Sequence, residues 1–215
     1  MSRKERKAYL DDNTTQTGFD RHYIYHPAWA ARILAKTRPN EHIDISSTLH
    51  FCSIVSAFIP VKFFDFRPAE LAPNGLTSGS ADLCKLPFRD DSIVSLSCMH
   101  TIEHIGLGRY GDAIDPDGDL KAIGELNRVL AAGGSLLFVV PVGRPRVVFN
   151  AHRIYSYEQV LRYFPDLTLR ECALIPDNPK DGGLVIGASA EIVARQEYGC
   201  GCFWFVKESV SNETV

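Results

Sequence analysis

Apolar positions in this chain recur at helical spacing in four stretches. In the third stretch, Leu120, Ile123 and Leu126 fall on one stripe, which is typical of a helix that packs one face on a core. A capping box formed by Ser156 and Gln159 marks the start of the fourth. The predicted helices run from Pro27 to Pro39, from Leu49 to Pro60, from Asp117 or Asp119 to Gly133-Gly134, and from Ser156 to Phe164.

Short aliphatic and β-branched runs alternate with these helices. Residues 136–140 form an uninterrupted apolar run, typical of a central parallel strand that is buried on both faces. Residues 69–80 contain the turn pair Asn74-Gly75 and are predicted to be mostly loop. The predicted strands are His42 to Ile45, Val61 to Phe66, Ile93 to Cys98, Leu136 to Val140, Leu167 to Ile175 and Cys202 to Val206. This alternation predicts a doubly wound α/β sheet.

Composition limits the classes of protein to consider. The 215 residues are 45% apolar and 23% charged, which predicts one domain over residues 21–215 after a polar, flexible N-terminal arm over residues 1–20. A net charge of -3 disfavours nucleic acid as a partner. No apolar run approaches the roughly 18 residues that span a bilayer, so no membrane association and a cytoplasmic location are expected.

No metal site is expected from the spacing of cysteine and histidine. The six cysteines show no C-x-x-C pair. Cys200 and Cys202 would share one face of a strand and so could contact one ligand. His100, Glu103 and His104 have suitable side chains, but a zinc site needs further ligands that are not recognisable nearby.

Polar side chains follow several of the predicted strands, at the edge where doubly wound sheets bind ligands. Asp44 and Ser46 lie at the first strand and Asp65 ends the second. An acidic residue at the end of a second strand can accept hydrogen bonds from a ribose diol, and Asp82 could accept one from an adenine amino group. The alternative is that Asp65 and Asp82 only cap turns.

Three blocks of sequence resemble a known superfamily. The segment Ala81 to Ile93, the run His100-Thr101-Ile102-Glu103-His104-Ile105, and residues 125–134 resemble the second half of class I S-adenosylmethionine-dependent methyltransferases of the small-molecule, type 11-like kind. The resemblance implies a Rossmann-like, seven-stranded, mostly parallel sheet whose last strand is antiparallel. It also implies S-adenosylmethionine as cofactor, bound near Asp44, Ser46, Asp65, Asp82, Leu83 and His100. Residues 103–112 and 149–153 further resemble an uncharacterised, largely bacterial methyltransferase-like family.

The loop after the first strand departs from that superfamily. Its members carry D-x-G-x-G-x-G there, whereas residues 44–50 contain no glycine. A positive φ at Ser46 or Thr48 would cost about 1 to 2 kcal/mol each, and we expect such strain to weaken cofactor binding by roughly one to two decades. The added Cβ atoms would also occupy space near the cofactor.

Methyl transfer to a hydroxyl needs alignment and a proton acceptor, and histidine suits the second role. We predict His104 as the base, His152 as the second candidate, and Glu103 as the group that orients the ring. If the segment after the fourth strand is helical, His100 and His104 share one face. Alternatively, His100 packs under the cofactor while Glu103 and His104 cap a helix.

Two functions remain open from the sequence. The first is a methyltransferase that acts on a small molecule or a sugar hydroxyl. The second is a methyltransferase-like fold that has lost its cofactor and serves as a binding or scaffolding protein. Self-association as a homodimer also stays open, and residues 177–198 are expected to form either a lid or an extra helix.

Overall fold

Strands and helices alternate along the chain in the computed structural model, which describes residues 13–71 and 73–209. The α-helices are α1 (Arg21–Thr37), α2 (Leu49–Val55), α3 (Gly118–Val129), α4 (Tyr157–Tyr163) and α5 (Ala190–Ala194). The strands are β1 (His42–Ile45), β2 (Val61–Asp65), β3 (Leu76–Ser80), β4 (Ile93–Met99), β5 (Leu130–Val142), β6 (Arg146–Val148), β7 (His152–Ile154), β8 (Leu167–Ile175), β9 (Val185–Ile186) and β10 (Gly199–Lys207). Short 3₁₀ turns cover Ile102–His104 and Pro179–Asp181.

Eight of these strands form one sheet in the order β3-β2-β1-β4-β5-β10-β8-β9. The first five in that order are parallel to one another, and β10 runs antiparallel to both of its neighbours. This confirms the predicted α/β class, with a mostly parallel sheet and an antiparallel last strand. The expected strand number was seven, and the difference is the two-residue edge strand β9. Strands β6 and β7 pair separately as a hairpin.

The sheet is covered by helices on both faces. Helices α1 and α2 pack on one face, and α3, α4 and α5 pack on the other. Strand β5 shows why its predicted run has no polar position: Leu136 and Phe138 belong to one core while Leu137 and Val139 belong to the other. Because both faces are buried, functional side chains are left to the strand ends.

Three predicted boundaries were wrong. Helix α1 begins at Arg21 and not at Pro27, because the Asp20 side chain accepts a hydrogen bond from the Tyr23 amide and so caps the helix earlier. Residues 76–80 form β3 and not a loop, because they pair along β2 in a continuous register. Gly133-Gly134 lies inside β5 and does not close α3; an added Cβ at Gly134 would meet the Ala131 carbonyl oxygen at 2.6 Å.

Most of the predicted arm lies outside the described residues, which begin at 13. Residues 13–19 contain no helix or strand, and Asp20 already caps α1. The division into an arm and a single domain over residues 21–215 stays a prediction. Residues 177–198 contain a 3₁₀ turn, β9 and the short helix α5.

Within the described part of the chain, no helix has both the length and the apolar character that crossing a bilayer requires.

Candidate functional site

A cavity of about 470 Å³ opens at the carboxyl ends of β1 and β4, where the strand order reverses. This is the position at which doubly wound sheets bind ligands, and the volume is within the usual range for a small organic molecule. Six of the residues predicted for the site line it: Ser46, Asp65, Asp82, Leu83, His100 and His104. The other three, Asp44, Glu103 and His152, do not.

Asp65 and Asp82 reach the cavity from the ends of β2 and β3. Each also holds a local turn: Asp65 Oδ1 accepts from the Arg67 amide at 2.7 Å, and Asp82 Oδ1 accepts from the Cys84 amide at 2.8 Å. A carboxylate can accept at both oxygens, so one oxygen of each group is left for a ligand. The turn-capping and ligand-binding interpretations are therefore compatible.

The glycine-free loop concentrates its unusual conformation in one residue. Ser46 has a φ of 56°, whereas Thr48 has a φ of -80° and caps α2 through the Phe51 amide. The protein's own bonds hold Ser46 in place, since its amide donates to the Phe64 carbonyl at 2.8 Å and its carbonyl accepts from the Thr101 hydroxyl at 2.9 Å. The strain is thus part of the fold. It costs folding free energy, and the expectation that it also weakens cofactor binding stays a prediction.

Glycine at these two positions should change stability in opposite directions. Ser46→Gly removes a left-handed residue and should stabilise the fold by about 1 kcal/mol, because relief of strain exceeds the added entropy of the unfolded chain. Thr48→Gly removes the cap of α2 and should destabilise it by a few tenths of a kcal/mol. Urea unfolding of both variants measures the difference. A loss of stability in Ser46→Gly would contradict the strain assigned to that residue.

Asp44 lies beneath this loop and is fully buried. It accepts from the Ser47 amide at 3.0 Å and from the Ser97 hydroxyl. Burial raises its pKa to about 6, although both hydrogen bonds act in the other direction. Asp44 is therefore placed to shape the loop from below and not to contact a ligand in the cavity.

Glu103 lies between two histidines in the turn that follows β4. His100 Nδ1 is 2.9 Å from Glu103 Oε1, and His104 Nε2 is 3.8 Å from the same oxygen. The condition for both histidines to share one helix face is not met, because His100 has a φ of 57° and only a 3₁₀ turn follows it. Glu103 is 1% exposed, so its carboxyl group faces these two rings and not solvent.

The hydrogen bonds of His104 define which nitrogen carries the proton. Its Nδ1 is 2.6 Å from the Ala151 carbonyl oxygen. Since a carbonyl oxygen only accepts, Nδ1 carries the hydrogen and the lone pair is on Nε2. His104 lines the cavity, so its ring suits a proton acceptor, with a Glu103 carboxyl oxygen 3.8 Å from the same Nε2.

His152 lies on β7 close to the same group. Its ring centroid is 4.8 Å from that of Tyr198. Burial lowers the pKa of His152, and the nearby His104 lowers it further. It is near the predicted base but outside the cavity lining.

The loop between β4 and α3 covers one side of the cavity, and Arg153 holds it in place. This buried guanidinium donates to the carbonyl oxygens of Ile105 at 2.6 Å and Pro116 at 3.1 Å, with Asp119 3.4 Å away. Tyr110 on the same loop lies 5.1 Å from the Arg67 guanidinium. Arg153 thus positions the cavity wall, a role that its sequence context does not indicate.

Comparison of sequences finds a family model that matches about a third of the chain. A family model described as "Caenorhabditis protein of unknown function, DUF268" matches residues 90–162. That segment includes β4, the Glu103 turn, α3 and the His152 strand. No curated protein matches the chain.

Comparison of structures identifies the fold. Similar chains include a methyltransferase complexed with the Haloferax volcanii Trm112 activator, with 17% identity, 88% of this chain and 90% of that chain covered, and a TM-score of 0.57. A Thermotoga maritima SAM-dependent methyltransferase has 15% identity, coverages of 87% and 92%, and a TM-score of 0.55. The chain has the class I methyltransferase fold. The Burkholderia thailandensis 1,6-didemethyltoxoflavin-N1-methyltransferase, which contains S-adenosylhomocysteine, shares this methyltransferase fold at 10% identity, coverages of 86% and 79%, and a TM-score of 0.59.

Helix α1 contributes residues that the sequence analysis did not predict to the rim of the cavity in this methyltransferase fold. The ring of His22 stacks on His100 at 5.4 Å between centroids, and Tyr23 lies at the same distance. Cys200 on β10 has a ligand-type atom close to both of these histidines. These residues are far apart in the chain and meet only through helix and strand packing, so no local motif could have marked them.

Proposed function

We propose that this chain is an S-adenosylmethionine-dependent methyltransferase that acts on a hydroxyl of a small molecule or a sugar. The observation that carries the proposal is the cavity itself. It lies at the reversal of strand order, has acids from the ends of β2 and β3 in its wall, and has the His104 ring at its edge.

The residues in the cavity suit an adenosyl group. Asp65 is placed to accept hydrogen bonds from ribose hydroxyls, and Asp82 to accept one from an adenine amino group. The buried Leu83 side chain offers an apolar contact beside them. S-adenosylmethionine bound there supplies a methyl group on a sulfonium, which a nucleophile can attack in line.

Within this scheme His104 takes the proton of the acceptor hydroxyl at Nε2. Its Nδ1 stays bonded to the Ala151 carbonyl, which fixes the orientation of the ring. The Glu103 carboxylate, 3.8 Å from Nε2, stabilises the positive charge that the ring acquires. General-base catalysis of this kind contributes about 10²- to 10⁴-fold.

The proposed acceptor is polar because the groups around His104 are polar. The Arg109 guanidinium lies 3.3 Å from His104 Nδ1 and donates to the Ala151 carbonyl, and Tyr110 packs edge-on against the His104 ring. Hydroxyls of a sugar can bond to such donors, while one sugar face can pack on the tyrosine ring.

Calorimetry tests the proposal directly. S-adenosylmethionine and S-adenosylhomocysteine should each bind the full chain, and Asp65→Ala should weaken binding by about 10- to 100-fold because a charge-assisted hydrogen bond is lost. Asp166→Ala, in the exposed turn before β8, is the matched control and should bind like the unaltered chain. If neither ligand releases or absorbs heat at millimolar concentration, the chain is not such an enzyme, and a binding or scaffolding role takes its place.

A further inference from the structure

Three metal-ligating side chains meet beside the cavity although they come from distant parts of the chain. They are His22 on α1, His100 after β4 and Cys200 on β10. One ligand atom from each lies within 4.8 Å of the others. Cys200 is fully buried and His100 is 8% exposed, so the group is not a chance cluster on the surface.

His100 carries an unsatisfied nitrogen at this point. Its Nδ1 is bonded to Glu103, and a carboxylate accepts hydrogen, so Nδ1 carries the hydrogen and Nε2 carries the lone pair. Nε2 is buried and has no hydrogen-bond partner among the described residues. A buried acceptor without a partner costs free energy, which a bound cation would recover.

Glu103 gives His100 the usual environment of a metal ligand. Metal-bound histidines almost always donate their second ring N–H to a carboxylate or a carbonyl, which fixes the tautomer and makes the other nitrogen a better ligand. The second imidazole, His22, lies directly beside this ring, with the two centroids 5.4 Å apart.

We propose that His22, His100 and Cys200 bind a zinc ion, with one coordination position left open. Two imidazoles and one thiolate form a donor set that favours zinc among the common divalent cations. Binding would release the Cys200 thiol proton to solvent and form a zinc–thiolate bond. Three protein ligands with a fourth, open position are typical of a catalytic site and not of a closed structural one.

Zinc binding would require the ligand atoms to approach one another and the His22 ring to turn. Zinc–nitrogen and zinc–sulfur bonds of about 2.1 and 2.3 Å place tetrahedral ligand atoms roughly 3.5 Å apart. The present separations reach 4.8 Å, so the side chains would need to approach by about 1 Å. His22 is in the first turn of α1, and its ring stacks between those of His100 and Tyr198 with centroids 5.4 Å from each. Because a metal–nitrogen bond lies in the plane of the imidazole, the His22 ring would also have to turn out of this stack.

Zinc titration of the metal-free full chain tests this site without any methyl donor, so its result is independent of the proposed function. We expect one zinc ion to bind per chain at saturation. The affinity for zinc should fall by about 100-fold or more in His22→Ala and in Cys200→Ser. It should fall by about 10- to 100-fold in Glu103→Gln, which changes only the carboxylate that is bonded to His100. His50→Ala, exposed on α2, and Cys172→Ser, buried on β8, are the matched controls.

Cobalt provides a second readout that does not depend on affinity. Co²⁺ in the proposed site should give a thiolate-to-metal charge-transfer band that Cys200→Ser abolishes and Cys172→Ser retains. Thermal unfolding of each metal-free variant shows whether it is folded. Absence of saturable zinc binding in the unaltered chain, or equal affinity in the ligand variants and the controls, would overturn the proposal.

Discussion

Asparagine in place of His104 should lower the turnover number by about 10²- to 10⁴-fold and leave the affinity for S-adenosylhomocysteine within about threefold. The asparagine amide nitrogen can take the position of Nδ1 and keep the hydrogen bond to the Ala151 carbonyl, which His104 makes at 2.6 Å. The variant therefore preserves the anchor and removes only the lone pair on Nε2. A defect that appears in turnover and not in cofactor binding is the mark of a group used in the transition state.

Screening monosaccharides and sugar phosphates with isotopically labelled S-adenosylmethionine would provide the acceptor for this measurement. His152→Asn separates the two candidate bases: the variant with the larger loss of turnover identifies the residue that takes the proton. His50→Asn, on the exposed side of α2, serves as the control and should behave like the unaltered chain. Turnover of His104→Asn within threefold of normal would remove His104 from the mechanism.

The sheet could be predicted from the sequence wherever a strand is buried on both faces. The run of residues 136–140 could be recognised from sequence, because a short apolar stretch that ends at a proline is typical of a strand buried on both faces. Strand β3 is the opposite case. Its sequence, Leu76-Thr77-Ser78-Gly79-Ser80, has one buried apolar side chain, and its extended conformation comes from pairing with β2. Such pairing is a tertiary effect that local composition does not record.

The site residues likewise fall into those that local sequence predicts and those that only tertiary packing brings together. Asp65 and Asp82 could be predicted, because the carboxyl end of a parallel strand is a position that the strand assignment itself defines. The grouping of His22 and Cys200 with His100 could not, because it depends on how α1 and β10 pack across the sheet. The expectation of no metal site rested on a missing third ligand near His100 in sequence, whereas the fold brings ligand-type side chains from both ends of the chain.

Replacing Asp44 with asparagine should change how stability depends on pH. Burial raises the pKa of Asp44 in the folded chain from its usual value of 3.8 to about 6. A carboxyl whose pKa is raised by folding contributes stability below its unfolded pKa, and that contribution is lost as pH rises through the folded pKa. At about 1.4 kcal/mol per pKa unit, the unaltered chain should lose about 2 kcal/mol relative to Asp44→Asn between pH 4 and pH 8, because part of the effect already lies below pH 4.

His42 opposes this trend in the same buried network. Its two ring nitrogens bond to the hydroxyls of Ser95 and Ser97, and Ser97 in turn donates to Asp44. Burial lowers the pKa of His42 to about 3, so its contribution is present above pH 6.5 and is lost as pH falls. In the unaltered chain the two groups largely cancel between pH 4 and 8. With asparagine at position 44, only the histidine effect remains, and the variant should be the more acid-sensitive protein.

Asparagine fits the network because hydroxyls can reverse their direction. Its amide can donate to the Ser97 oxygen, which then donates to His42 Nε2, while its carbonyl still accepts from the Ser47 amide.

Cys52 and Cys98, the other titratable groups near Asp44, have pKa values that burial and Asp44 both raise, so they stay neutral over this range. Urea unfolding at pH 4, 6 and 8 measures the difference between the two proteins, with Asp166→Asn as the exposed control. Parallel stability profiles for Asp44→Asn and the unaltered chain would mean that Asp44 does not titrate in this window, and that the loop beneath the cavity is supported by a charge and not by a shared proton.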